Sequence, residues 1–480
     1  MLKVLMVASE AAPFVKTGGL GDVIGSLPKA LKRDNVDVRV VIPKYQEMPE
    51  ELEDQIKWQE SIYIPVGWRH QFCGLEYMTH QGIPFYFLDN KYHFNRPGYY
   101  GYPDDGERFS FFNRAVLEML PFINFYPDII HCHDWQTGMV APLLKASFRH
   151  MPEYQKIKMV FTIHNLKYQG VFPKSVMTDL LNLGEEHFTV GGLEFHGNMS
   201  FLKGGINYSD LVTTVSPTYA KEIQTPDFGE KMDELLKSQA HKLTGVINGL
   251  DYEEYDPAKD PLLQYAYDVQ NTEGKKENKK SLQKDLGLPQ KDVPLVAMIT
   301  RLVPQKGIDL VMHVLHEMLE LDMQLVVIGT GEHHYEEQLR EVGHRYPEKC
   351  SMQLKFDNRL AHQLYAASDL FLMPSQFEPC GLGQLIALRY GSLPIARETG
   401  GLKDTVIHYK DPSGEGCGFT FEDYNAHDML FAIKEALELY HDPQEWNALM
   451  EKAMRQDNSW KKSARRYEEI YESLQAAIRR

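Results

Sequence analysis

A chain of 480 residues is too long for one ordinary hydrophobic core, and its net charge of −16 speaks against a nucleic-acid binder, which needs a basic stripe to displace counterions from phosphates. No run approaches the ~20 apolar residues that span a membrane. The five cysteines, Cys73, Cys132, Cys350, Cys380 and Cys417, make no Cys-x-x-Cys pair, so neither a disulfide framework nor a zinc site is indicated.

A neutral polymer remains a suitable partner, any phosphate being held by a few cations at fixed positions, and the expected compartment is the reducing cytoplasm. The first apolar run, Leu2 to Ala8, is at the lower length limit for a signal peptide and meets Glu10 at once, which makes it a buried strand. Short runs rich in Val, Ile and Leu then recur, each followed by a glycine-containing turn and a helical pattern. In the first half they are Val4–Ala8, Val38–Ile42, Phe85–Leu88, Asp128–His131, Lys158–Ile163 and Leu211–Val215. The second half repeats the scheme with Leu295–Thr300, Gln324–Ile328, Asp369–Met373 and Leu393–Ala396. Near-continuous apolar strands alternating with helices predict an α/β chain with parallel sheets covered on both faces, one Rossmann-like sheet in each half. The turn Ile247–Asp251 is the expected hinge, and the polar, lysine-rich Asn271–Lys291 reads as a surface excursion. Trp460–Arg480 reads as an amphipathic helix with no strand after it.

The motifs follow the same order. In Lys16-Thr17-Gly18-Gly19-Leu20, missing side chains let backbone N–H groups approach an anion at the start of a helix; a tight turn with a solvated lysine is the alternative. Neither Gly19-Leu20-Gly21-Asp22-Val23-Ile24 nor Gly329-Thr330-Gly331-Glu332-His333-His334 completes a dinucleotide fingerprint, which disfavours a nicotinamide enzyme. His131-Cys132-His133-Asp134-Trp135 puts two histidines on one side of a strand, a geometry that permits a metal, but no second cluster completes a ligand set. Asp134, Trp135 and His164 make better sense as polar and stacking contacts for a sugar. Arg301 and Lys306 lie on one loop at a strand's carboxyl end, a plausible diphosphate clamp, with two solvated cations as the bland alternative. Glu378 in Glu378-Pro379-Cys380-Gly381-Leu382 can accept hydrogen bonds from sugar hydroxyls or cap its own helix. Thr399-Gly400-Gly401-Leu402 echoes Thr17-Gly18-Gly19-Leu20.

Taken together and in this order, Lys16–Leu20, His133–Trp135, Thr162–Asn165, Arg301–Gly307, Glu378–Leu382 and Thr399–Leu402 resemble the glycogen and starch synthases of glycosyltransferase family 5. The resemblance implies the GT-B fold, two Rossmann-like domains facing across a deep cleft, with limits 1–245, 246–459 and a helix 460–480 crossing back to the first domain. It implies ADP-glucose as donor, the non-reducing end of an α-1,4-glucan as acceptor, no cofactor and no metal. By the same resemblance Lys16 lies near the donor phosphates, Arg301 and Lys306 neutralise the diphosphate, Glu378 binds glucose hydroxyls and His164 meets the transferred glucose. Gly18, Gly19 and the amides of Cys380, Gly381 and Leu382 complete the donor site, and Asp22, Asp134 and Asn248 occupy matching positions. Phe356 stands where relatives often have a base-stacking tyrosine, and Gly383 where some have threonine. Ile386 replaces the second glutamate of the transferases that use a Glu-x7-Glu pair, which disfavours that class. A catalytically idle glucan-binding protein is the alternative of a different kind. Donor and product are both α-linked, and no carboxylate identifiable from sequence stands ready for double displacement, so same-face attack assisted by the leaving diphosphate is the expected mechanism.

Overall fold

The computed structural model describes residues 1–33 and 36–476. These divide into two compact units, Met1–Gly249 with the C-terminal segment from Trp460, and Leu250–Ser459. Residues 477–480, the end of the predicted last helix, lie outside the described residues.

The first unit is built on a nine-stranded sheet. Its strands are β1 (Lys3–Val7), β2 (Asp37–Pro43), β3 (Lys57–Val66), β4 (Arg69–His80), β5 (Ile83–Asp89), β6 (Ile129–His133) and β7 (Lys158–Ile163). The short β8 (Val171–Phe172), β9 (Glu194–Phe195) and β10 (Asn198–Ser200) form a separate antiparallel sheet, and β11 (Leu211–Thr214) with β12 (Leu243–Gly245) returns to the large one. The order β12-β11-β7-β6-β1-β2-β5 is parallel throughout, whereas β5-β4-β3 is antiparallel. That edge ribbon escapes the reading of continuous apolar runs because only one face is covered: Ile62, Ile64 and Val66 are buried, while Trp58 and Tyr63 are exposed.

The second unit has a single six-stranded parallel sheet. It comprises β13 (Leu295–Ile299), β14 (Gln324–Ile328), β15 (Cys350–Gln353), β16 (Leu370–Met373), β17 (Leu393–Arg397) and β18 (Phe419–Phe421), in the order β15-β14-β13-β16-β17-β18. Every residue from Leu295 to Met298 and from Leu325 to Ile328 is buried, each large aliphatic side chain being worth roughly 1.5–3 kcal/mol in area removed from water.

Both sheets reverse their winding at one place, β1/β6 in the first and β13/β16 in the second. In open parallel sheets this switch point leaves a crevice beyond the strand ends, because the two flanking connections leave in opposite directions. The loops after β1, β6, β13 and β16 carry most of the sequence-predicted site.

The lysine-rich segment is not a surface excursion. Glu273–Asp285 is a helix that buries Lys275, Asn278, Lys279, Leu282 and Gln283 on one face. Lys275 Nζ donates to the carbonyls of Ala366, Ser368 and Tyr390 at 2.7–3.0 Å. Lys279 pairs with Asp369 at 2.6 Å, and Asp369 also accepts from Leu295 N. The helix thereby ties together the starts of β13, β16 and β17, and burial pushes the Lys275 ammonium down to about 7. A face at helical spacing is present, but all its members except Leu282 are polar, so hydrophobic periodicity does not reveal it.

Among the described residues no helix is long and apolar enough to cross a membrane.

Candidate functional site

At the first switch point, the loop after β1 runs from Ala8 into the helix Gly19–Arg33. Glu10, 4% exposed, holds this loop: its carboxylate accepts from Thr17 N and Thr17 Oγ1, both at 2.6 Å, and from Tyr100 Oη at 2.7 Å. The Tyr100 oxygen in turn accepts from the Ser9 hydroxyl at 2.8 Å. A Cβ built on Gly18 or Gly19 meets nothing within 4 Å, so the fold does not demand glycine there; the empty space suits a ligand that needs close backbone approach. Lys16 is not simply solvated, because its Nζ is 2.6 Å from Asp22 in the first helical turn. Sequence reasoning passed over Glu10, whose only signal was a carboxylate directly after a buried strand.

Asp134 directly follows β6 with φ 58° and ψ 179°, a region sparsely populated by anything but glycine, at a cost of about 1–3 kcal/mol. The surroundings impose it: Asp134 N donates to Thr162 O, and Asp134 Oδ1 accepts from His164 N at 2.7 Å. Burial pushes the Asp134 carboxyl up to about 7, opposed by the amides of His164 and Asn165 and assisted by the nearby Glu10 charge. His164 follows β7, with Nε2 3.0 Å from Nδ1 of the buried His133. His131 is fully engaged, Nδ1 with Tyr471 Oη at 2.7 Å and Nε2 with Thr162 Oγ1 at 2.6 Å. Burial pushes both His131 and His164 down to about 3 and holds His133 well below the usual range, so the three rings are neutral near pH 7. Both nitrogens of His131 are thus spent, and among the described residues no group of three or more His, Cys, Asp or Glu is arranged to hold a metal ion.

Trp135 differs from its sequence reading. It is 9% exposed, with its ring against Phe109, Phe172 and Phe201, and Gly170 packs so closely on it that a Cβ would collide with the indole. An aromatic cluster has absorbed the ring, which is therefore no open platform for a sugar. Asn248 is buried in the first unit with its Oδ1 unpaired.

At the second switch point the loops after β13 and β16 converge. Lys306 Nζ and Glu378 Oε2 are 2.6 Å apart, with Ser375 Oγ donating to the same carboxylate oxygen at 3.0 Å. Glu378 does not cap the helix Gly383–Arg389, which has no side-chain cap. Gln376 N donates to Gln305 O, fixing one loop on the other. Arg301 is exposed and has no ion pair or side-chain hydrogen bond among the described residues. Of the two predicted cations, one is therefore held by a carboxylate and the other is available.

The turn Thr399–Leu402 packs directly behind Glu378. Gly401 N donates to Glu378 O at 3.0 Å, and Gly400, at φ 46°, sits where a Cβ would strike that same carbonyl. Cys380 is buried, and its carbonyl and that of Gly381 accept from Gln384 Nε2 at 2.9 and 3.0 Å. Leu382 precedes the helix directly. Phe356 is 89% exposed and has no ring partner among the described residues, so its faces are open.

The second unit thus brings Lys306, Glu378, Cys380, Gly381 and Leu382 together around one strand end. The first brings together Asp134 and His164, and separately Lys16 and Asp22.

Comparison with known proteins agrees with this architecture. A family profile described as "Starch synthase catalytic domain" matches residues 3–238, and one described as "Glycosyl transferases group 1" matches residues 278–456. The chain is 55% identical to the glycogen synthase of Alkaliphilus metalliredigens, over 98% of this chain and 100% of the relative. It is 53% identical to that of Geobacillus stearothermophilus, over 98% of each chain. The solved catalytic domain of starch synthase IV from Arabidopsis thaliana, bound to ADP and acarbose, superimposes with a TM-score of 0.92 at 37% identity, covering 99% of each chain. Sucrose-phosphate synthase from Thermosynechococcus elongatus shares the fold alone, with a TM-score of 0.63 at 17% identity.

Proposed function

The chain belongs to the glycogen and starch synthase family, and from that premise we propose that it lengthens an α-1,4-glucan by transferring glucose from ADP-glucose to the non-reducing end, with retention at the anomeric carbon. Its fold is of the GT-B class. The second unit, Leu250–Ser459, is the nucleotide-sugar side, and the first, with the returning C-terminal helix, is the acceptor side.

The observation that carries the reading is the Lys306–Glu378 pair at the second switch point, with the exposed Arg301 on the same loop as Lys306. Departure of ADP develops negative charge on the diphosphate. Arg301, already without a competing carboxylate, meets that charge, and Lys306 adds to it while Glu378 orients the ammonium and accepts from glucose hydroxyls. Lys16 and the free-standing amides of Gly18 and Gly19 serve the phosphates from the first unit, where Asp22 holds the lysine in place. His164 contacts the transferred glucose, with Asp134 fixing its backbone. Asn248 and the exposed ring of Phe356 are further donor contacts. The acceptor hydroxyl attacks from the face that ADP leaves, its proton passing to a departing phosphate oxygen. The cations take the part a metal plays in other transferases, so neither metal nor organic cofactor is required. The reaction is that of a cytoplasmic enzyme.

The test is incubation with ADP-glucose or UDP-glucose and a maltooligosaccharide primer. One glucose added in α-linkage per ADP released is the expected result. Glucan binding without turnover would instead identify an idle glucan-binding protein.

A further inference from the structure

The reaction scheme leaves one buried ring, that of His133, without a role. His133 lies inside β6, fully buried, with Nδ1 3.0 Å from Nε2 of His164. Its own Nε2 is buried without a partner. Nδ1 of His164 has no partner among the described residues and is not one of the buried unpaired atoms, so it is open to a ligand.

Two neutral rings can share this hydrogen bond in two ways. If His164 donated from Nε2, His133 would carry its proton on its own Nε2, as a buried N–H with no acceptor. If His133 donates from Nδ1, only a lone pair is stranded there. The stranded N–H is the costlier of the two, since its hydrogen concentrates positive charge where nothing compensates for lost water. Neither ring carries both protons, because burial disfavours the imidazolium in each. His133 also has little room to turn: His131 packs against it at a ring distance of 4.1 Å and is itself pinned by Tyr471 and Thr162.

We propose that His133 is a positioning residue that donates Nδ1–H to Nε2 of His164 and so fixes His164 with its proton on Nδ1, as a hydrogen-bond donor to the ligand. The state of one ring nitrogen is set by the bond the other makes. His164 then gives a hydrogen bond to a sugar oxygen and cannot take the acceptor's proton through that atom, which leaves deprotonation to the departing phosphate.

The inference rests on the reading of His164 as a sugar contact, and the experiment separates the two. Histidine-selective 15N labelling of the full chain, with His164 assigned by comparison with His164→Ala, reports the tautomer directly. A protonated Nδ1 and bare Nε2 on His164 is expected; the reverse pattern overturns the inference. His133→Phe should lower kcat about 10- to 100-fold, a usual loss for an orienting partner. His133→Asn, whose amide donates from a similar reach, should recover most of it. A folded His133→Phe with kcat within about twofold of wild type, on that same scale, would overturn the inference. If His133→Phe does not fold, the wild-type spectrum decides alone. Full turnover by His164→Ala would sink the sugar-contact reading itself, whereas a slow His164→Ala with an Nε2-protonated wild-type spectrum sinks only this inference.

Discussion

At the switch point of the first unit the chain sets three neutral imidazoles, the buried His131 and His133 and the half-buried His164, beside a strained Asp134, whereas at that of the second it leaves Arg301 exposed and sets Lys306 against Glu378 in an ion pair. The winding is the same: in each sheet the first strand lies between the second and the strand after the reversal. Topology therefore supplies two equivalent crevices, and the residues at the strand ends decide what each receives. A cluster of neutral imidazoles suits hydroxyl groups, where single hydrogen bonds discriminate; fixed cations suit a diphosphate. A net charge of −16 makes the second arrangement more telling, since the positive charge is local.

The largest expected effect falls on the charged side. Arg301→Ala should cost about 3–4 kcal/mol of transition-state stabilisation, roughly a hundredfold to a thousandfold in kcat, with little change in thermal stability because the guanidinium has no protein partner to lose. Near-normal turnover of the folded variant would break the assignment of the diphosphate to this crevice.

Glu378→Gln comes next. A neutral amide of the same size loses the charge-assisted bonds to Lys306 and to glucose, worth about 1.5–3 kcal/mol, so steady-state assays should show a tenfold to hundredfold loss. Wild-type rates would reduce the pair to a structural tie.

The smallest effect belongs to the neutral pocket and is read in stability. Asp134 has a folded-state value of about 7 against an ordinary 3.8, so the folded chain holds this proton more tightly than the unfolded one. Its contribution is complete below about pH 4 and is lost as pH rises through about 7, at most a few kcal/mol. Denaturant midpoints across that window should fall with rising pH in the wild type and fall less in Asp134→Asn. Equal slopes would mean that Asp134 is solvated like an ordinary carboxylate.

The two regions also differed in how far they could be read beforehand. The parallel strands were legible because Leu295–Ile299 and Leu325–Ile328 are continuous apolar runs, and a doubly wound sheet needs little more. The edge ribbon β3–β4 was not, since half of its side chains face solvent, and the segment holding the helix Glu273–Asp285 reads as a surface excursion because the face it buries is mostly polar. Around the site, Arg301, Lys306 and Glu378 stood out as charges at strand ends. The role of His133 was hidden because its partner, His164, lies just past the next strand and the 3.0 Å contact exists only once β6 and β7 are in register. Trp135 misled for the opposite reason: aromatic chemistry suits a sugar, but Phe109, Phe172 and Phe201 already enclose the ring.

The division of labour between the two crevices is tested most directly by calorimetric titration of ADP into the wild type, Arg301→Ala and His164→Ala. ADP carries the diphosphate but no glucose. The account predicts that Arg301→Ala weakens ADP binding roughly tenfold to a hundredfold, as expected for loss of a charge-assisted contact, while His164→Ala binds ADP like the wild type. Equal losses in both variants, or a loss confined to His164→Ala, would contradict it.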